Sequence, residues 1–159
     1  MDYWYRKSPE VFFNQVGPDV ASDFYHHYQE DFERMAQIGF NSFRTSIQWS
    51  RLIKDFETGE ADERAVEFYR NVIQEAKKHG ITLVLNLHHF DMPIDLLKKY
   101  GGWESKYVVD LFVKFARTCF ERFGDIVEYW TTFNEPMVIP EAGYLYAFHY
   151  PCLLYTSPS

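Results

Sequence analysis

The chain is 159 residues long, 47% hydrophobic and 19% aromatic, which supplies one packed core and argues against a disordered chain. Its net charge of −7 is spread over interspersed acidic residues, which argues against nucleic acid or an anionic membrane surface as partner. No stretch approaches the roughly 20 apolar residues of a membrane span, and no charged segment followed by an apolar one opens the chain, so a soluble protein is expected.

In chain order, the first strong pattern runs from Asp23 to Ile38, where Phe24, Tyr28, Phe32, Met35 and Ile38 recur at helical spacing. Gly39 follows as a stop, and "FNSFRTSIQW" then has the composition of a strand. The unit repeats from Asp62 to His79, with Ala65, Phe68, Tyr69, Val72, Ile73 and Ala76 on one face, Gly80 as the stop and "ITLVLNLH" as the strand. In the third copy Val108, Leu111, Phe112, Phe115, Ala116, Cys119, Phe120 and Phe123 line a helix, Gly124 ends it, and "IVEYWTTFN" follows. Cys119 and Cys152 have no framework spacing and read as reduced thiols in a cytoplasmic setting.

Helices alternating with apolar strands predict a parallel sheet covered by helices. Two architectures offer that, a doubly wound sheet and a (β/α)8 barrel. No Gly-rich phosphate fingerprint follows any of the strands, which counts against a dinucleotide-binding doubly wound sheet. Polar residues cluster instead where each strand ends: Arg44 with Gln48 and Trp49, then Asn86, His88 and His89, then Asn134 and Glu135. Barrel active sites sit at the C-terminal ends of the strands, so a barrel gathers all three clusters into one cavity. A complete barrel needs on the order of 200 residues or more, so the expected fold is α/β, a partial (β/α)8 barrel of three strands.

The last strand delivers a carboxylate. Pro136 cannot donate to a sheet ladder and favours an extended residue before it, which predicts Glu135 held extended at a strand end with its side chain aimed by the backbone. His88 and His89 are adjacent on a strand and point to opposite faces, so they do not read as a metal pair; His88 is expected to pack behind the strand. Trp49, Phe90, Trp103 and Trp130 read mainly as core, with a sugar-stacking role as the alternative for each.

The motifs "FNSFRTSIQWSRL", "LNLHHFDMP", "YGGWESK", "FERFGD" and "TFNEP" together resemble the family 1 glycoside hydrolases. Within that family, "VGPDVASDFYHHY", "RTSIQWSRLIKDFETG" and "FNEPMVIPEAGYLYAFHYP" are most similar to bacterial 6-phospho-β-glucosidases, and the likeness runs from about Asp2 to Pro151. The resemblance implies a retaining glycosidase whose barrel strands 2 to 4 lie here. It implies that Glu135 is the general acid that protonates the glycosidic oxygen and then the base that activates water. Asn134 would bind the sugar 2-hydroxyl, and His89 a hydroxyl of the cleaved ring. Arg44 would support the nucleophilic carboxylate and keep it ionised.

The chemistry needs two carboxyl groups about 5 to 5.5 Å apart with different proton affinities, and neither metal nor organic cofactor. The second carboxylate, the family's "ENG" glutamate, has no counterpart in these 159 residues. Asp91, Glu104, Glu128 and Glu141 are carboxylates outside any matching motif. The expected organisation is therefore an incomplete catalytic barrel over residues 1–151 and a non-native tail, "CLLYTSPS", over 152–159. The chain alone is expected to be inactive. The expected partner of the parent enzyme is a glycoside or phosphoglycoside in the cytoplasm; an unphosphorylated β-glucosidase and a catalytically dead carbohydrate-binding relative are the alternatives.

Overall fold

The computed structural model describes residues 2–146. The expected tail and Cys152 lie outside the described residues. Three strands form the central sheet: β1 (Ser42–Ser46), β4 (Thr82–His88) and β5 (Tyr129–Phe133). Both pairings are parallel and the order β1-β4-β5 follows the chain, each new strand adding on the same side. That is the succession a barrel requires. After α1 (Asp2–Lys7), which buries no residue, α2 (Phe24–Gln37), the short α3 (Trp49–Leu52), α4 (Glu63–Lys78), α5 (Ile94–Tyr100) and α6 (Lys106–Phe123) run around the sheet. A turn of helix, α7 (Val138–Pro140), and a π-turn over Glu141–Leu145 follow β5.

The local sequence accounts for these elements. At the start of α4, the Asp62 side chain accepts from the Arg64 N–H at 2.9 Å, while Lys77 and Lys78 occupy the negative end of the helix dipole. Its face of Ala65, Val66, Tyr69, Val72, Ile73 and Ala76 is buried. On α6 the buried face is Val108, Leu111, Phe112, Phe115, Cys119 and Phe123. Trp49 stacks on Phe115 with ring centroids 5.4 Å apart, so the expected core role of Trp49 holds. Ile38 departs from expectation. It lies beyond the last turn of α2 and is 71% exposed, because the helix has ended and its face no longer turns toward the sheet.

Gly39 and Gly80 take left-handed φ values of 88° and 70° at the ends of α2 and α4. Gly124 ends α6 differently, with a right-handed φ of −64°. One feature has no counterpart in the repeat pattern: β2 (Ile53–Asp55) and β3 (Glu60–Ala61) form a small antiparallel hairpin in the connection after β1. Among the described residues, no helix is long and apolar enough to cross a membrane.

Candidate active site

The parallel register sets residues from the three strands in rows. Ser46 lies opposite Asn86, and Asn86 opposite Thr131. Thr131 donates its hydroxyl hydrogen to Asn86 Oδ1 at 2.7 Å, and the Asn86 amide reaches Ser46 Oγ at 3.5 Å. Asn86 is fully buried. A polar residue inside an otherwise apolar strand is thus satisfied by its two neighbours, and it ties the strand ends into one register. Asn86 therefore belongs to the frame beneath the site, although its place near a strand end made it look like part of the site itself.

One row further on, His88 pairs with Phe133. His88 is buried, its ring 5.0 Å from Trp103 and 5.2 Å from Phe133. His89, the next residue, is exposed. The pair therefore splits between inside and outside. Among the described residues no cluster of three His, Cys, Asp or Glu side chains is placed to hold a metal ion. Asp91, which sequence reasoning left without a role, accepts from the His89 backbone N–H at 3.0 Å and lies 3.8 Å from His88 Nδ1, so it shapes the turn that presents His89.

Asn134 continues the ladder one residue past β5, donating its backbone N–H to the His88 carbonyl at 2.9 Å. Its side-chain Oδ1 accepts from Arg44 Nη2, also at 2.9 Å. The structure thus joins two of the sequence-predicted residues directly, from opposite edges of the sheet. Glu135 and His89 stand at the ends of neighbouring strands, both exposed. Among the described residues neither side chain hydrogen-bonds to another protein group, so both remain available to a ligand.

The backbone at Glu135 overturns an expectation. Its φ is +40°, in the left-handed region, where an extended conformation was expected from the following proline. Ladder pairing ends at Asn134, and the chain reverses at once into a turn in which Val138 N–H donates to the Glu135 carbonyl at 2.9 Å. The reversal outweighs the local preference. Phe90, one residue beyond His89, is also left-handed, at φ 69°. At β4 and β5 alike the chain leaves the sheet through a residue whose conformation costs about 1–3 kcal/mol, a strain that concentrates at functional sites.

A guanidinium, an amide, an imidazole and a carboxylate therefore lie along one end of the sheet, three of them exposed. Such a set can hydrogen-bond a polyhydroxylated ligand and can exchange a proton with it.

A 6-phospho-β-glucosidase of Bacillus subtilis is 52% identical over 150 residues, which cover 94% of this chain and 32% of that protein. A 6-phospho-β-glucosidase of Escherichia coli is 48% identical over 115 residues, 72% of this chain and 24% of that protein. The crystal structure of a rice β-glucosidase superposes with a TM-score of 0.84 at 34% identity, covering 93% of this chain and 31% of that one. The chain spans about a third or less of the length of these relatives. Its three parallel strands and their helices are part of a (β/α)8 barrel. The family model described as glycosyl hydrolase family 1 matches residues 1–157, and the chain belongs to that family.

Proposed function

We propose that these residues form the acid/base side of a retaining β-glycosidase acting on 6-phospho-β-glucosides. Glu135 protonates the glycosidic oxygen as the bond to the anomeric carbon breaks, then removes a proton from the water that releases the sugar from the nucleophile. Asn134 binds the 2-hydroxyl, where hydrogen bonding strengthens toward the transition state, and His89 binds another hydroxyl of the same ring. Arg44 faces the nucleophilic carboxylate, which lies outside these 159 residues. On this reading the isolated chain turns over no substrate.

The observation that carries the reading is the Arg44 to Asn134 hydrogen bond at 2.9 Å, one residue from Glu135. It holds the proposed nucleophile support and the proposed 2-hydroxyl ligand in contact. The preference for a phosphorylated glucoside rests on the likeness to the two bacterial 6-phospho-β-glucosidases. A cytoplasmic setting accords with such a substrate, since a phosphorylated sugar does not cross a membrane unaided.

The test uses a full-length enzyme that carries these residues. Glu135→Gln should lower kcat about 10²- to 10⁴-fold on a glycoside with a poor leaving group. With a dinitrophenyl leaving group the first step should survive, and azide should restore turnover by attacking the glycosyl-enzyme. A wild-type rate on both substrates would remove Glu135 from the mechanism. Comparing kcat/KM on an aryl 6-phospho-β-glucoside and its unphosphorylated counterpart decides the substrate class, the rice relative being the precedent for the second.

A further inference from the structure

We propose that Glu57, on the hairpin after β1, is a positioning residue that clamps α5 and thereby sets the two segments flanking that helix, the turn bearing His89 and the Trp103 ring packed against the ends of β4 and β5. The inference deepens the glycosidase reading and rests on it for its kinetic consequence.

Glu57 is held on every side. Its backbone N–H donates to Asp55 Oδ1 at 2.8 Å, so the turn between β2 and β3 is fixed by the side chain that opens it. The Glu57 carbonyl accepts from Lys114 on α6, and the Gly59 carbonyl accepts from Thr118 Oγ1 at 3.3 Å. Gly59 has φ 81°, and a Cβ there would sit 3.2 Å from Lys114 Cβ, so glycine allows the hairpin to lie against the helix. The carboxylate then points to α5 and to the start of α6. Oε1 accepts from Lys99 Nζ at 3.0 Å and from the Tyr100 hydroxyl, and Oε2 accepts from the Tyr107 hydroxyl. Two phenols and an ammonium converge on one carboxylate and hold it well below the usual carboxylate range, at about 2, the Tyr100 hydrogen bond being the largest cause.

What this fixes is the end of α5. Tyr100 is its last residue, and the chain then turns through Gly101 and Gly102, both left-handed at φ 85° and 62°. Trp103 follows immediately. Its ring lies 5.0 Å from His88 and 5.3 Å from Phe133, the two residues that face each other at the ends of β4 and β5. His89 and Asn134 are the next residues along those strands. At its other end α5 begins at Ile94, five residues after His89. A short helix pinned at its C-terminus therefore governs both the turn that presents His89 and the Trp103 ring that packs against the paired strand ends.

The experiment uses the full-length enzyme, an aryl 6-phospho-β-glucoside and amide hydrogen exchange resolved by segment. Glu57→Ala should raise KM about 3- to 10-fold with kcat within about 2-fold, and should accelerate exchange in 89–92 and 102–104. Glu57→Gln, which keeps the length and one acceptor oxygen, should recover most of both. Tyr100→Phe should reproduce the KM and exchange effects, and Tyr107→Phe, on the α6 arm, should not. A lower melting temperature with unchanged KM and unchanged exchange in those segments would make Glu57 a fastening of the surface only and overturn the proposal. Equal effects of the two tyrosine variants would overturn the route through α5. If the wild-type enzyme cleaves no glycoside, the functional reading fails, while exchange in 89–92 still decides the clamp: acceleration in Glu57→Ala sustains it and no change overturns it.

Discussion

The guanidinium of Arg44 on β1 donates to Oδ1 of Asn134 just beyond β5, 2.9 Å away, with β4 lying between the two strands. In the register Arg44 lies opposite Val84 and Tyr129, so its side chain reaches along the strands as well as across β4, which a long side chain can do and a short one cannot. The contact holds Asn134 from the side chain while the His88 carbonyl holds it from the backbone. Both restraints act on the residue directly before Glu135.

Arg44→Lys keeps the charge and removes the forked donor geometry. A hydrogen bond to a charged group contributes about 1.5–3 kcal/mol, so kcat/KM of the full-length enzyme should fall about 10- to 100-fold. Asn134→Ala should give a loss of similar size. Because the two act on one contact, the double variant should lose less than the product of the single losses. Losses that multiply would show that the residues work independently.

Asn86 offers a test of the frame beneath the site. Asn86→Ala leaves the half-buried Thr131 hydroxyl without its acceptor and opens a small void where the buried amide stood, a change expected to cost about 1–3 kcal/mol. Thr131→Val removes the donor from the same bond, leaves the buried Asn86 Oδ1 unsatisfied and should cost a similar amount. Urea unfolding of the full-length enzyme measures both. Equal stability of wild type and Asn86→Ala would mean the row contributes nothing to the barrel.

Much of this was legible in the sequence, and for physical reasons. Helical spacing identified most of the buried faces of α4 and α6, because burial on one side of a helix is a local constraint on sequence, but Phe120, expected on the α6 face, is exposed and packs its ring on Trp130 instead. The strand-end polar clusters drew attention to one end of the sheet because an apolar strand tolerates a polar side chain only where it is satisfied or useful, and Asn86 proved to be of the first kind. His89, Asn134 and Glu135 do come to one end of the sheet, whereas Arg44 lies in the middle of β1 and reaches Asn134 only through its side chain. The Ser46, Asn86 and Thr131 row was hidden because it depends on register between strands about 40 residues apart, which no single strand encodes. The Glu57 clamp was hidden for the same reason, the partners of its carboxylate lying 42 to 50 residues away. At Glu135 a local rule about proline gave way to a reversal imposed by the end of the ladder.

The glycine stops separate two mechanisms. Gly80 has φ 70° and open space around a would-be Cβ, so Gly80→Ala should cost about 1–2 kcal/mol from backbone strain alone. Asn tolerates that conformation, and Gly80→Asn should cost less. Gly124 is right-handed, but a Cβ there would lie 2.4 Å from the Phe120 carbonyl oxygen. Gly124→Asn should therefore be as damaging as Gly124→Ala. Thermal unfolding of the four variants distinguishes strain from collision.

Tyr69 carries the clearest dependence on pH. Its hydroxyl accepts from the Gln48 backbone N–H at 2.9 Å, and burial pushes its ionisation up to about 12. An unfolded tyrosine ionises near 10, so between these values the unfolded chain releases a proton that the folded chain keeps. The contribution of the neutral phenol is fully present below about pH 10 and is lost as pH rises toward 12, for a total of about 2–3 kcal/mol. Tyr69→Phe removes the ionisable group and leaves the Gln48 N–H unsatisfied. It should be less stable than wild type at pH 8 by about 1–3 kcal/mol, and the difference should shrink or vanish at pH 11.5. Denaturant melts of the full-length enzyme at the two pH values measure this directly, and a constant difference between them would show that Tyr69 ionises as freely in the folded protein as in water.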